Sequence, residues 1–434
     1  MTPYMKRFLL SLLCLASTAF TQTPSPTPSA PAPLDPLLTA PSVWETPQLV
    51  ESNHALGFRW VSVAHDSAQS TLKNATLFGQ PVCQTLVSFD HEKIKEIVVL
   101  FYNRGDMGEI DRVQYEKLIQ DLVSTISTTT KTAFVARGKD AANAVKVNGV
   151  AWNTAASVYS LEYSCTRTPQ MPFRSEFVRL RITPAEKPKS LLERSFAASN
   201  KEIFVAAKHV TCDAASGDVS IKDIPMVDQG PKGYCVVATA ERVLRYYGIK
   251  ADENELAQLA NSSAAGGTNV RAMTESLKKL SARFKIRVRT LYELDFNALI
   301  GEYNQKARHA KESSVNPYSE ETKDFYRLIY GQMKPDLLRE TRTKNRSGLA
   351  TFQRQVKTHI DTGIPVLWSV VVGVLPDGSK AKAPSGHMRL IIGYNEKTGE
   401  ILFSDSWGIG HELKRMPTVD AWAITHTLAT VEPL

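Results

Sequence analysis

A cysteine that opens an apolar helix is placed for nucleophilic chemistry. In Val227–Ala238, VDQGPKGYCVVA, Cys235 begins a run with apolar residues at 236, 237, 240, 243, 244 and 247. That spacing predicts one wide helical face over Cys235–Tyr247, with Gly248 as the C-terminal cap. The free N–H groups and partial positive charge of a helix N-terminus favour thiolate over thiol, so a depressed pKa is expected for Cys235. Gly230 and Gly233 permit a tight loop with exposed amides ahead of it. Gln229 lies six residues upstream of Cys235. Its side-chain amide can donate to an oxyanion beside the cysteine's own N–H.

A thiolate of this kind needs a base. The segment Gly386–Gly408 reads GHMRLIIGYNEKTGEILFSDSWG. His387 opens one strand, Asn395–Gly399 is a turn, and the returning strand runs from Ile401 to Asp405. A hairpin centred near Lys397 pairs positions whose numbers sum to about 794, so 389 faces 405 and His387 shares the face of 389. A register shifted by one residue would put His387 and Asp405 on opposite faces. On a shared face, Asp405 would hold one ring nitrogen and leave the other for the cysteine. Each residue also has a plain reading: a structural cysteine, an exposed strand-start histidine, an aspartate capping a turn. Trp407 reads as packing, and packing against His387 would shield the site from water. A Cys/His/Asp metal site is disfavoured, because the short-spaced ligand pairs of zinc sites are missing; no metal or cofactor is expected.

Together these segments carry a resemblance. Gln229-Gly230-x-x-Gly233-x-Cys235 resembles the oxyanion and nucleophile segment of papain-like cysteine peptidases. His387 at a strand start, followed by Asp405-Ser406-Trp407-Gly408, is similar to that family's histidine strand and its Asn-Ser-Trp-Gly segment. The bacterial branches fit best, similar to staphopains and to bacteriocin-processing (peptidase C39-like) domains, the latter also through Gly266-Gly267-Thr268 before a helix. The resemblance covers about residues 220–410. It implies a helical lobe carrying Cys235, a β-sheet lobe carrying His387 and Asp405, a cleft between them, and Gln229 in the oxyanion hole. The sequence departs from the pattern at Lys232, where a disulfide cysteine is common, at Val236, where an aromatic residue is common, and at Asp405, where plant enzymes have Asn.

The elements that must position these residues follow from the rest of the chain. It has 434 residues, enough for two or three domains. Lys6-Arg7, the nine-residue apolar run Phe8–Ala16 and the small residues after it read as a secretory signal peptide over residues 1–21. Leu13 before Cys14 argues against a lipoprotein signal, and no other run is long and apolar enough to span a bilayer. The expectation is a secreted or periplasmic protein without stable membrane insertion after signal removal. Residues 22–48, Pro/Ser-rich, read as an extended linker. Residues 49–200 read as a β-rich accessory or pro-domain, with strands over 94–102, 145–150, 156–165 and 176–182 and a helix over 111–126. Residues 187–201 form a charged connector, and residues 205–434 form the domain with the candidate site. Within the latter, Asp252 and Glu255 suggest a capping box, residues 295–345 a helical insertion, and 366–372, 388–394, 401–403 and 421–425 an antiparallel sheet. The fold class expected is α+β. Export favours disulfides; with Cys235 kept free, Cys83 and Cys165 are the favoured pair and Cys212 is left over.

The net charge of +8 includes Lys6 and Arg7; without them, 8 − 2 leaves +6. No Lys/Arg stripe with interleaved aromatics occurs, so nucleic-acid binding is not expected. The leading function is a secreted thiol peptidase acting on a peptide or protein substrate through Cys235, His387, Asp405 and Gln229. The alternatives are a cysteine-dependent amidase or transglutaminase-like acyltransferase, and a non-catalytic secreted binding protein. The N-terminal domain is expected either to inhibit the site intramolecularly or to bind a substrate or partner.

Overall fold

A computed structural model describes residues 30–434, apart from 47, 91, 138–142, 169–171, 186–203, 231–232, 263–266, 321, 323 and 380. The expected signal peptide and the connector at 187–201 thus lie outside the described residues. The protein is α+β, with two large antiparallel sheets, a small three-stranded mixed sheet and two separate apolar cores among the described residues.

The N-terminal sheet consists of β1 (Arg59–Trp60), β2 (Ser67–Ser70), β3 (Gln84–Asp90), β4 (Lys93–Asn103), β5 (Val135–Ala136), β6 (Asn148–Asn153), β7 (Ser157–Thr166) and β8 (Arg174–Pro184). Their order is β1-β2-β3-β4-β8-β7-β6-β5. A short helix α1 (Arg104–Met107) ends β4, and α2 (Arg112–Thr130) packs Tyr115, Leu122 and Ile126 into the core. Its start is the capping box that Asp111 and Gln114 make. The expected strands and helix of this domain are all present, within a few residues.

The linker expectation needs correction over residues 30–45. Leu34, Leu38 and Val43 are buried in the N-terminal core, and Ala32–Pro33 pairs in parallel with Ala75–Thr76. Proline content suggested a solvated chain, but the leucines that follow the prolines bury enough apolar surface to dock it. The pairing of Cys83 with Cys165 is also corrected: both are free thiols. Cys83 precedes β3 and Cys165 lies on β7, with β4 and β8 between them. Three strand spacings are roughly 14 Å, beyond the reach of a disulfide.

The C-terminal domain opens with β9 (Val210–Cys212) and β10 (Asp218–Ile221), followed by helices α3 (Cys235–Tyr246), α4 (Glu253–Leu259) and α5 (Val270–Lys279). Next come β11 (Ile286–Glu293), α6 (Phe296–His309), α7 (Phe325–Tyr330), α8 (Pro335–Lys344) and α9 (Arg346–Asp361). The chain closes with β12 (Val366–Val372), β13 (Ser385–Asn395), β14 (Glu400–Ser404), β15 (Lys414–Pro417), α10 (Thr418–Ile424) and β16 (Thr425–Pro433). The sheet order is β9-β10-β13-β12-β16-β11, with β14 on β13 and β15 on β14. The predicted strand at 421–425 is mostly helix α10, and the strand β16 begins only at Thr425. The alternating strand β11 escaped the sequence reading. At α4, Asp252 caps the amides of Asn254 and Glu255, but the Glu255 side chain does not return to close a box. It is drawn instead to Arg179 and to the amide of Ala144.

Candidate active site

Cys235 is the first residue of α3, as its apolar spacing predicted, and no side chain caps that helix start. Of the helix amides left uncapped, that of Val236 bonds the sulfur. Two residues farther along fix the helix against the sheet. The Thr239 hydroxyl lies 3.1 Å from the Ser406 hydroxyl, and the buried Arg242 donates to the Asp405 carbonyl at 3.0 Å and to Ser404 Oγ at 2.6 Å. Burial pushes the Arg242 guanidinium down to about 10.

The second part of the site is the β13–β14 hairpin. Near the turn, Asn395 faces Glu400 and Tyr394 faces Ile401, so paired numbers sum to 795. A bulge at Ile392 then shifts the register, and Ile391 faces Phe403 and Leu390 faces Ser404, summing to 794. That single extra residue brings His387 onto the face of Asp405. His387 Nε2 lies 2.9 Å from Asp405 Oδ1. With Nε2 engaged, Nδ1 is left for the hydrogen bond between His387 and the Cys235 sulfur.

Asp405 is fully buried, and burial pushes its carboxyl up. The hydrogen bond from His387, the Arg389 guanidinium, the His387 charge and the Lys414 ammonium outweigh that and hold it well below the usual carboxylate range. Arg389 Nε reaches Oδ1 at 2.9 Å and Lys414 Nζ reaches Oδ2 at 3.0 Å. A buried carboxylate without such partners would cost several kcal/mol; three basic neighbours explain why an ionised aspartate is tolerated here. Burial raises the Cys235 thiol, but the hydrogen bond and charge of His387 and the backbone amides of Met388 and Val236 lower it below its ordinary value overall. Burial lowers His387, while its bonds to Asp405 and Cys235 raise it above its ordinary value overall. The two displacements have opposite sign, as a thiolate–imidazolium pair requires.

Trp407 stacks on the His387 ring, with centroids 4.5 Å apart and planes at 19°. It therefore shields the ring as anticipated. Gln229 is buried, and its backbone N–H donates to the Ser406 carbonyl at 3.0 Å, which ties the expected oxyanion segment to the Asp405 turn. Gly267 and Thr268 abut the Gly233 carbonyl just ahead of Cys235.

Several residues around the site escaped the sequence reading. Arg389 was findable, because it lies two positions from His387 on the same strand face. Arg242 was findable in part, because it lies seven residues, about two turns, beyond Cys235. Lys414 and Tyr326 gave no local signal. Tyr326, on α7, lays its ring where a Cβ on Gly386 would come within 2.5 Å, and burial pushes its hydroxyl up to about 12. The helical insertion therefore walls the histidine side of the site.

Residues 221–429 match the Peptidase_C39 like family, a span that contains Gln229, Cys235, His387 and Asp405. Among solved structures, the chain is similar to xylellain, a cysteine protease from Xylella fastidiosa, at 12% identity and a TM-score of 0.27, with 52% of this chain and 90% of that chain covered. No curated protein matches the sequence.

Proposed function

We propose that the chain is an exported thiol peptidase that hydrolyses peptide bonds with Cys235 as nucleophile, His387 as base and acid, Asp405 as the residue that orients the histidine, and Gln229 in the oxyanion hole. The observation that carries this reading is the locked imidazole: Asp405 occupies Nε2, and the remaining nitrogen faces a thiol whose pKa is displaced opposite to its own. The Cys235 sulfur attacks the scissile carbonyl carbon, and the carbonyl electron pair moves onto oxygen. The Cys235 N–H and the Gln229 side-chain amide stabilise that oxyanion. His387 gives its proton to the leaving amine, which departs and leaves an acyl thioester. Water, deprotonated by His387, then attacks the thioester, releases the acid and restores the pair. Export rests on Lys6-Arg7 and the apolar run after them.

The test is labelling of the mature protein with an epoxide directed at cysteine peptidases, beside Cys235→Ala and His387→Ala. Labelling at Cys235 that needs His387, together with cleavage of a denatured protein, is the expected result. Labelling with muropeptide release or amine incorporation but no proteolysis would move the function to an amidase or acyltransferase. Absence of labelling would overturn the catalytic reading.

A further inference from the structure

The loop 228–234 carries Gln229 and leads into Cys235, and the N-terminal domain grips it at both ends. At the upstream end, the Asp228 carboxylate does two things. Its Oδ1 accepts from the Gly230 amide at 2.9 Å, which shapes the turn where Gly230 has φ +62°. Its Oδ2 accepts from Gln69 Nε2 of β2 at 2.6 Å, with Arg59 of β1 at 3.7 Å. Gln69 is buried, and Gln84 Nε2 donates to its carbonyl oxygen at 3.1 Å. That second bond fixes the Gln69 amide with its nitrogen toward Asp228.

At the downstream end stands Tyr234, the residue before the nucleophile, at 1% exposure. Its hydroxyl donates to Asn103 Oδ1 at 3.3 Å. The same oxygen accepts from the Gly105 amide at 2.6 Å, and Asn103 Nδ2 donates to Asn254 Oδ1 at 2.6 Å. The phenol ring lies so close to Gly105 that a Cβ there would sit 1.5 Å from the hydroxyl oxygen and 2.3 Å from Cζ. The end of β4 and the first turn of α1 thus form a socket that only a glycine leaves open. Away from the loop, the domain is held by buried charges: Arg179, 1% exposed, donates to Glu162 on its own sheet at 2.7 Å and to Glu255 of α4 at 2.9 Å.

We propose that the N-terminal domain is a positioning scaffold for the nucleophile loop, with Gln69, Asn103 and Gly105 setting where Gln229 and Cys235 sit, and that it supports turnover instead of suppressing it. The proposal rests on the peptidase reading above. A reacting atom displaced by about 1 Å can cost roughly 100-fold in rate, so a grip at both ends of a seven-residue loop, 228–234, is large enough to matter.

The experiment uses the full mature chain with Gln69→Ala, Asn103→Ala and Gly105→Ala. Three quantities are read: the active fraction by epoxide titration, kcat and KM separately, and the pH dependence of Cys235 alkylation by iodoacetamide. The expected result is a fall in kcat of about 10- to 100-fold with little change in KM. The acid limb of the alkylation profile should move to higher pH, because a displaced helix start and His387 stabilise the thiolate less. A purely structural role would lower the active fraction and leave the profile of the remaining sites unmoved, and that outcome would overturn the proposal. Gly105→Ala is the variant at risk of failing to fold; Gln69→Ala removes the bond to Asp228 and the one from Gln84 at the opposite end, with no clash, and decides the matter alone. Variants that label faster than the parent would overturn the proposal and mark the domain as a brake. If the parent is labelled and the variants match it, only the positioning role fails. If the parent itself is not labelled, both readings fail.

Discussion

Two buried carboxylates in this molecule each gather three basic side chains, and they differ in what those side chains are. Glu162, on β7, is surrounded by Arg179, Arg181 and Arg137. Asp405, after β14, is surrounded by His387, Arg389 and Lys414. Burial raises both carboxyls, and the basic neighbours lower both overall. A displaced pKa in the interior therefore marks neither as functional. The difference lies in the neighbours. An arginine does not give up its proton in water, so the Glu162 cluster has one state and serves as a lock between domains. The Asp405 cluster contains an imidazole, whose proton is available near neutral pH, and that imidazole reaches a thiol.

Substitutions at the two clusters separate lock from machine. The largest effect is expected for His387→Ala. It should reduce kcat by roughly 10⁴-fold or more and return Cys235 alkylation to the pH dependence of an ordinary thiol, which iodoacetamide kinetics measure. Next comes the paired comparison of Asp405→Asn with Glu162→Gln. Each leaves buried cations uncompensated and should cost about 3–5 kcal/mol in denaturant unfolding. Only Asp405→Asn should also lower the His387 pKa, raise that of Cys235 and reduce kcat, by about 100-fold or more. Equal kinetic damage from Glu162→Gln in folded protein would erase the distinction.

The pH behaviour follows from the same shifts. On the proposed mechanism, hydrolysis needs the thiolate and the imidazolium together. It should rise as pH climbs through the lowered Cys235 value and fall as pH climbs through the raised His387 value, whereas alkylation should persist past the second limb. For stability, both carboxylates have folded values below their unfolded ones. Their contribution is present above roughly pH 4 and is lost as pH falls through the folded values. Asp405→Asn should flatten part of that acid loss in thermal melts at successive pH values. The smallest effect belongs to Lys414→Met. Lys414 is one of three cations around Asp405, with Arg389 and His387 left in place, so kcat should change by no more than about fivefold, about 1 kcal/mol. A larger loss would show that Lys414 does more than balance Asp405.

The local parts of this protein were legible in its sequence. Cys235 at the head of an apolar helix, the glycines before it and the Asp111 cap of α2 depend on spacing within a few residues, and short-range sterics decide them. The Leu34–Val43 segment was misread because its prolines were weighed above the leucines they flank. The strand expected at 421–425 was misread because a short apolar run does not distinguish helix α10 from a strand. Tyr326 and the Gly105 socket for Tyr234 left no trace at all, since each comes from a distant element; Lys414 is only nine residues from Asp405, but its approach depends on the pairing of β15 with β14.

The closest decision was the hairpin. The sequence determined that His387 and Asp405 stand near the two ends of an antiparallel pair, but not that they meet. At the turn the paired numbers sum to 795, and in that register the two side chains would point to opposite faces. Only the bulge at Ile392 changes the sum to 794 and puts both on one face, against the helix that carries Cys235. A bulge is held by the packing of the whole strand between its neighbours, here β10, β12 and β14, so tertiary structure alone could place it.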